Sequence, residues 1–328
     1  MTTSQISHWC RLQGMGEWGF SVFGRTDLIA QQQPIALTIG NFDGVHLGHM
    51  HVLKTLREFT KDLPIVALTF DPHPTVVLSP QLAKPSLVPM SKRVDLLLAA
   101  GVDAVVVQKF SFSFAQLSAD DFVSEYLLKS FNIRAAVIGF DFCYGANRSG
   151  DWNHFEAFAK VRGFAARQAE PLFIDGLPVS SSRIRAAILA KEFEAAQKML
   201  GRDFCLNGVV VKGDQRGRQI GFPTANLGLL DESCLVPPFG VYAVEVFLPG
   251  EKTPRPGVMN CGVRPTIADG LKLQIEAHIL DYTGDLYGSE IAFAIKKFIR
   301  TELKFSGLDH LKAQIQSDVN QARLYFGV

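Results

Sequence analysis

Hydrophobic positions in the first half of the chain alternate between two rhythms. Unbroken apolar runs at 35–39, 64–70, 104–107 and 135–138 read as strands buried on both faces. Between them, apolar residues recur every three or four positions: Val52, Leu53, Leu56 and Phe59, then Val94, Leu97 and Leu98, then Phe122, Val123, Tyr126 and Leu127. That spacing predicts amphipathic helices. Ser118 opens the third with a capping-box pattern, and Gly101 and Gly163 stop the helices before them. A further helix is predicted over 153–162, with a short strand from Phe164. Repeated βα units predict a parallel sheet covered by helices on both faces. Residues 184–201 read as one helical stretch, and the domain boundary is placed there, giving 1–199 and 200–328. The opening twenty-odd residues carry no clear pattern and read as an extension.

The second half changes rhythm. Short runs at 208–211, 240–248, 271–281 and 290–298 have turns rather than helices between them. Gln274, Glu276 and His278 alternate with Ile275, Ala277 and Ile279, a period of two. A small antiparallel barrel or sandwich is predicted. Leu308, Leu311, Ile315 and Val319 then mark one closing helix that covers part of it.

Polar clusters follow the predicted strands. They are the segment 40–49, the segment Asp71-Pro72-His73-Pro74, the segment 139–145 around Asp141, and Ser180-Ser181-Ser182-Arg183-Ile184-Arg185. In open α/β sheets, ligands bind outside the carboxyl ends of strands, so the clusters are expected to converge on one edge. The first reads Gly40-Asn41-Phe42-Asp43-Gly44-Val45-His46-Leu47-Gly48-His49. A strand, a glycine-rich turn and a helix N-terminus make a phosphate site, because backbone N–H groups and the helix dipole favour an anion there. His46 and His49 add side-chain donors. Their spacing also suits a metal pair, but no third ligand of matching type accompanies them. Phosphate binding is therefore the expected role, with exposed turn histidines as the alternative. Ser181 and Ser182 can cap a helix and donate to phosphate, while Arg183 and Arg185 present guanidinium forks. The competing reading is a capped surface helix with solvated arginines.

In the second half, Gly217-Arg218-Gln219-Ile220-Gly221-Phe222-Pro223-Thr224-Ala225-Asn226 stands out. It has no P-loop lysine. Thr224 and Asn226 are oxygen donors spaced to reach one hard cation, which suits magnesium. A plain Gly/Pro turn between strands is the alternative.

Composition narrows the function class. The 328 residues carry 33 basic and 32 acidic side chains, a net charge of +1. A nucleic-acid-coating surface is not expected from that balance. The five cysteines, Cys10, Cys143, Cys205, Cys234 and Cys261, form no CxxC pair, so reduced thiols fit better than disulfides or zinc. No signal peptide or membrane-length apolar run is present, and a cytoplasmic protein is expected. A monomer and a weak homo-oligomer both stay open.

The first-half motifs resemble the nucleotidyltransferase superfamily: the His-x-Gly-His segment, followed much later by Ser-Ser-x-Arg-Ile-Arg. The full 40–49 segment with Phe70-Asp71-Pro72-His73-Pro74 is similar to the prokaryotic FAD synthetase branch. That resemblance implies a Rossmann-like domain transferring AMP from ATP to FMN, with release of pyrophosphate. It implies that His46 and His49 stabilise the α and β phosphates. Gly40, Asn41, Phe42, Gly44 and Gly48 would form the phosphate loop, and Ser181, Ser182, Arg183 and Arg185 would grip the triphosphate. Phe70, His73, Pro74 and Asp141 would serve the flavin. Two departures are visible: Ser182 stands where the family usually has threonine, and Tyr144-Gly145 where it has Phe-Gly.

The segment Gly221-Phe222-Pro223-Thr224-Ala225-Asn226 closely resembles the riboflavin kinase signature. The likeness continues through Gly240-Val241-Tyr242, Gly262-Val263-Arg264-Pro265-Thr266, Glu276-Ala277-His278 and Gly284-Asp285-Leu286-Tyr287-Gly288. It implies a small Greek-key barrel that phosphorylates the riboflavin 5′-hydroxyl with MgATP. Glu276 would accept the hydroxyl proton, Thr224 and Asn226 would hold magnesium and phosphate, Gly217, Arg218, Gly221 and Pro223 would lie along the nucleotide, and Arg300 would lie near the flavin end. Together the halves resemble a bifunctional family whose substrates and products are ATP, riboflavin, FMN and FAD. Three alternatives remain: a single-activity enzyme whose other domain only binds ligand, a flavin- or nucleotide-sensing regulator without turnover, and a tRNA synthetase-like role. The last is disfavoured by the missing lysine-rich loop.

Overall fold

The computed structural model describes residues 12–13, 19–213, 216–265 and 271–328. Thr266 of the arginine–proline motif lies outside the described residues, as does Cys10. The chain divides into two compact units. The first holds the described residues up to Ser86 together with Met90–Ser181, and the second holds Leu87–Pro89 and Ser182–Val328.

The first unit is built on a seven-stranded sheet. Its strands are β1 (Leu12–Gln13), β2 (Phe20–Gly24), β3 (Ile35–Ile39), β4 (Ile65–Asp71), β5 (Ala104–Lys109), β6 (Ile133–Gly139) and β7 (Ala165–Ala169), in the order β1-β2-β5-β4-β3-β6-β7. The five strands from β5 to β7 are parallel, as expected. The β1–β2 edge is antiparallel and lies in the stretch read as a patternless extension. All five residues of β3 are buried.

Alternate residues of the central strands feed two cores. Ile35, Leu37, Ile39, Val66, Leu68, Val106 and Ile138 face one, packed against Phe122, Tyr126 and Phe155. Ala36, Ala67, Val105 and Val137 face the other, with Leu53, Leu56, Val94 and Leu97. Helices Leu47–Thr60 and Met90–Ala99 supply the second set, and helix Trp152–Arg162 supplies Phe155. Two buried sheet faces explain why these strands read as unbroken apolar runs rather than alternating ones.

The parallel part starts at β3, steps outward through β4 and β5, then returns to place β6 on the other side of β3. The direction of winding therefore reverses between β3 and β6. This is the switch point outside which open α/β sheets bind ligands. The polar clusters after β3, β4 and β6 all leave the carboxyl ends of parallel strands.

Three expectations need correction in this unit and at its end. The run before Ser180 is a strand, but not of the seven-stranded sheet: it is one arm of a separate two-stranded hairpin, β8 (Phe173–Ile174) with β9 (Leu177–Pro178). The segment opened by Ser118, whose hydroxyl caps Asp121 N–H at 3.0 Å, widens to a π-helix at Phe122–Leu127. The stretch 184–201 is two helices, Ser181–Leu189 and Phe193–Leu200, because Lys191 takes a φ of 65° that no helix interior allows.

The second unit is a closed antiparallel barrel. Its strands are β10 (Cys205–Val211), β11 (Ala225–Leu229), β12 (Gly240–Phe247), β13 (Arg255–Pro265), β14 (Leu271–Ile279) and β15 (Glu290–Arg300), ordered β10-β11-β14-β13-β12-β15 with β15 paired back to β10. Strands β12 to β14 form a meander and β15 returns beside β12, a Greek key. Neither β11 nor β13 was legible as a strand: β11 is short, and β13 contains Pro256 and Gly257. Along β14 the period of two holds, with Ile275, Ala277 and Ile279 buried. Helix Leu308–Phe326 seats Val319 and Ala322 on Val241, Ala243 and Val258. Leu308, expected on the same stripe, is exposed at the helix start.

Candidate active sites

The 40–46 loop is held in a strained shape by its own buried side chains. Phe42 and Val45 take positive φ values of 48° and 38°, and Gly44 takes 80°. Positive φ is rare for a β-branched residue, so something must hold it there. Phe42 and Val45 are both buried in the core beneath the loop. From below, Arg93 Nη1 donates to the Asn41 carbonyl at 2.9 Å, and Thr69 Oγ1 donates to the same oxygen at 3.0 Å. Arg93 Nη2 lies 3.6 Å from Asp43 Oδ1, and both side chains are only 3% exposed. A buried charge pair of this kind stays where it is, because separating it strands an ion in a low-dielectric interior. Ser181 Oγ donates to the Asp43 carbonyl at 2.9 Å, which ties the serine cluster to the loop.

His46 and His49 meet at the start of helix Leu47–Thr60. His46 is the N-cap residue, and the two form a reciprocal capping box. The His49 N–H donates to His46 Nδ1 at 3.4 Å, and the His46 N–H donates to His49 Nδ1 at 3.2 Å. Their rings stack with centroids 3.6 Å apart. A ring nitrogen that accepts a backbone N–H carries no proton of its own. Each imidazole is thereby fixed with its proton on Nε2, the far nitrogen, as a donor. Gly48 makes room for this arrangement: a Cβ there would sit 3.1 Å from the His46 ring. Phe42 packs edge-on against His49, with centroids 5.2 Å apart.

The neighbouring loops complete the first unit's edge. After β4, His73 caps the short helix Pro74–Leu78, its Nδ1 accepting from Thr75 N–H at 3.2 Å, with Pro74 in the first helical position. Phe70 is buried and packs edge-on against Phe110. After β6, Asp141 is exposed in the turn closed by the Phe142 N–H to the Gly139 carbonyl. Ser182, Arg183 and Arg185 follow Ser181 on helix Ser181–Leu189, within the second unit.

In the barrel, Phe222 N–H donates to the Gly217 carbonyl at 2.8 Å, folding 217–222 into a tight loop. A Cβ on Gly217 would collide with the Phe222 carbonyl, and Gly221 takes a φ of 92°. Arg218 is exposed on this loop. The Pro223 carbonyl accepts from His278 Nδ1 at 2.8 Å. Thr224 Oγ1 donates to Glu276 Oε2 at 3.0 Å.

Register places Asn226 opposite Glu276 across β11 and β14, and Asn260 opposite Glu276 across β14 and β13. Opposite residues in antiparallel strands share a face. Three polar side chains therefore form a row on the outer face of the barrel, beside Thr224. Arg300, expected near the flavin end, has a partner of its own. It makes a two-pronged ion pair with the buried Asp318 of the closing helix, at 2.9 and 2.7 Å.

The sequence reading missed Arg93, Asp43, Thr69 and Asn260. Arg93 lies 52 positions from Asn41 in a helix with no motif, and only the fold brings it under the loop. Asp43 stood inside the singled-out segment. A carboxylate flanked by buried Phe42 and Val45 was the available signal. Among the described residues, no group of three or more His, Cys, Asp or Glu side chains is arranged to hold a metal.

Two family models match the chain, one in each half. Residues 28–183 match the FAD synthetase family model, and residues 200–326 match the riboflavin kinase model. The bifunctional riboflavin kinase/FMN adenylyltransferase of Escherichia coli K12 is 40% identical, covering 91% of this chain and 95% of its own. Those of Pseudomonas fluorescens and Bacillus subtilis are each 36% identical, covering 92% and 90% of this chain and 96% and 94% of their own. A crystal structure of a Streptococcus pneumoniae protein named macrolide-efflux protein is 31% identical and superposes with a TM-score of 0.79, covering 88% of this chain and 94% of that one. No helix among the described residues here is long and apolar enough to cross a membrane. The chain belongs to the bifunctional riboflavin kinase/FMN adenylyltransferase family.

Proposed function

We propose that the two units perform consecutive steps of flavin cofactor synthesis. The barrel phosphorylates riboflavin with ATP to give FMN, and the α/β unit joins FMN to AMP from a second ATP to give FAD. The residue assignments below are part of this proposal, as are the domain limits 1–199 and 200–328 and a cytoplasmic setting.

In the first unit, an FMN phosphate oxygen attacks the ATP α-phosphorus, and the bond to the β-phosphate oxygen breaks to release pyrophosphate. The protein supplies position and charge stabilisation. The Nε2–H groups of His46 and His49 donate to the α and β phosphate oxygens as negative charge builds there. The loop residues Gly40, Asn41, Phe42, Gly44 and Gly48 bring backbone N–H groups close to the phosphates. Ser181, which donates to the Asp43 carbonyl, binds the rest of the triphosphate. Phe70, His73, Pro74 and Asp141 border the flavin. The reciprocal capping of the two histidines carries this reading, since it leaves both rings as fixed donors.

In the barrel, the riboflavin 5′-hydroxyl attacks the γ-phosphorus of ATP, and Glu276 accepts its proton. Gly217, Arg218, Gly221 and Pro223 lie along the nucleotide. Arg300 borders the flavin end and steadies the closing helix through Asp318. The Thr224 hydroxyl and Asn226 amide oxygens, with the Glu276 carboxylate beside them, form a hard donor set that fits magnesium shared with ATP phosphates. Such an ion, when bound, would offset phosphate charge.

The test is a time course with riboflavin, ATP and magnesium, followed by separation of the flavins. FMN rising first and FAD following is the expected result. FAD absent when FMN is supplied directly would refute the first assignment, and FMN absent from riboflavin the second.

A further inference from the structure

Beside the proposed FMN edge lies a chain of three polar side chains that the two reactions as derived leave unused. Tyr144 is buried in the 139–150 loop, with its phenol oxygen 2.7 Å from His154 Nδ1. The other ring nitrogen of His154 is 3.2 Å from Asp120 Oδ1. Burial, helped by the Asp120 and Asp151 charges, pushes phenol ionisation far above its ordinary range, so Tyr144 keeps its proton. A carboxylate only accepts, so in the neutral imidazole Nε2 carries the proton towards Asp120 and Nδ1 accepts from the phenol. The backbone N–H of His154 donates to the helix-capping Asp151 Oδ1 at 3.0 Å, which places the residue in the first turn of its helix.

Tyr144 in turn shapes the loop. It exchanges both backbone hydrogen bonds with Gly150 at 3.0 Å, closing the loop at its base. Gly150 is glycine for cause: a Cβ there would lie 2.7 Å from the Tyr144 ring. Phe142 stacks on that ring with centroids 5.5 Å apart and planes 22° apart. The Tyr144 ring therefore packs along the plane of Phe142, the residue next to Asp141. A hydroxyl in such a site needs an acceptor, and stranding one is unfavourable. In this chain His154 and Asp120 meet that need.

The geometry points to His154, backed by Asp120, as a positioning residue for adenylyl transfer: through Tyr144 it holds the Asp141–Phe142 segment in the shape that receives FMN. This rests on the adenylyltransferase reading given above.

The experiment measures FAD formation with FMN and ATP varied separately, and riboflavin phosphorylation in parallel. The proteins are wild type, Tyr144→Phe, His154→Leu, His154→Gln and the double variant Tyr144→Phe/His154→Leu. Wild-type protein that makes no FAD from FMN defeats the parent reading, whatever the variants do. With wild-type activity present, His154→Leu should raise KM for FMN about three- to tenfold. KM for ATP and the kinase rate should stay unchanged. The double variant should recover most of the loss, because it removes the stranded hydroxyl together with its acceptor. His154→Gln, whose amide oxygen can accept from the phenol, should also stay near wild type. The assignment is overturned by an unmoved KM for FMN in His154→Leu, or by an equal rise in KM for ATP. A double variant as poor as the single one, or glutamine failing as badly as leucine, overturns it too. If His154→Leu does not fold, the double and glutamine variants decide the matter: a KM for FMN raised threefold or more in both overturns the assignment, and near-wild-type values in both support it.

Discussion

His46 and His49 lock each other in place, each Nδ1 accepting the other's backbone N–H while the rings stack 3.6 Å apart. The lock fixes which nitrogen carries the proton, and it depends on Gly48, whose missing Cβ leaves room for the His46 ring. His46→Ala removes one donor and half of the capping box. FAD formation should fall by about a hundredfold or more, while FMN formation from riboflavin is kept. Gly48→Ala, which crowds the His46 ring at 3.1 Å, should lower FAD formation by a smaller factor with both imidazoles still present. Parallel assays with FMN and with riboflavin check both. Joint loss of the two activities would contradict separable sites.

Arg93 lies beneath the same loop and is nearly sealed from water. Replacing it with methionine keeps most of the volume but removes the guanidinium that faces the buried Asp43. Removing one partner of a buried pair costs about 3–5 kcal/mol. Urea unfolding should show a loss near the lower end, since the ions are 3.6 Å apart rather than in close contact. Arg93→Lys should lose less, and adenylyl transfer should fall with both variants as the loop loosens. An Arg93→Met protein of wild-type stability would show that the pair does not anchor the loop.

These two cases show which parts of the molecule were legible in its sequence. Strands buried on both faces, such as β3 and β4, and helices with an apolar stripe announce themselves through period alone. The histidine pair was legible because its glycine spacing is unusual. Arg93 was not, because its role comes from a contact 52 positions away in the chain, and no local pattern encodes that distance. The break at Lys191 was hidden because the apolar rhythm continues on both sides of it. In the barrel, Pro256 and Gly257 weakened the strand signal of β13, and with it went the register that sets Asn260 opposite Glu276.

Glu276 accepts a hydrogen bond from Thr224 and sits in a row with Asn226 and Asn260. Glu276→Gln keeps the shape and the acceptor oxygen but cannot take a proton. Riboflavin phosphorylation should fall about a hundredfold or more with little change in KM, because proton removal is needed only as the bond forms. FAD formation from supplied FMN should be unaffected. A kinase rate within a fewfold of wild type would remove Glu276 from the proton transfer.

Cys261 tests the barrel interior by titration. It is fully buried, pairs with Gly240 across β12 and β13, and places its sulfur 3.8 Å from the Pro237 carbonyl. Burial, with the Glu302 charge adding to it, pushes the thiol from its ordinary 9.0 up to about 12. The native thiol thus stays neutral where the unfolded one ionises. Above about pH 9 the unfolded chain binds fewer protons than the native one, so this contribution is fully present below 9 and is lost as pH rises towards 12. Urea midpoints should fall more steeply between about pH 8 and 10 for wild type than for Cys261→Ser, whose hydroxyl does not titrate there. Native protein at about pH 8 should also leave Cys261 unmodified by iodoacetamide, with labelling only after unfolding. Rapid labelling of Cys261 in native protein would mean that the barrel wall around it opens.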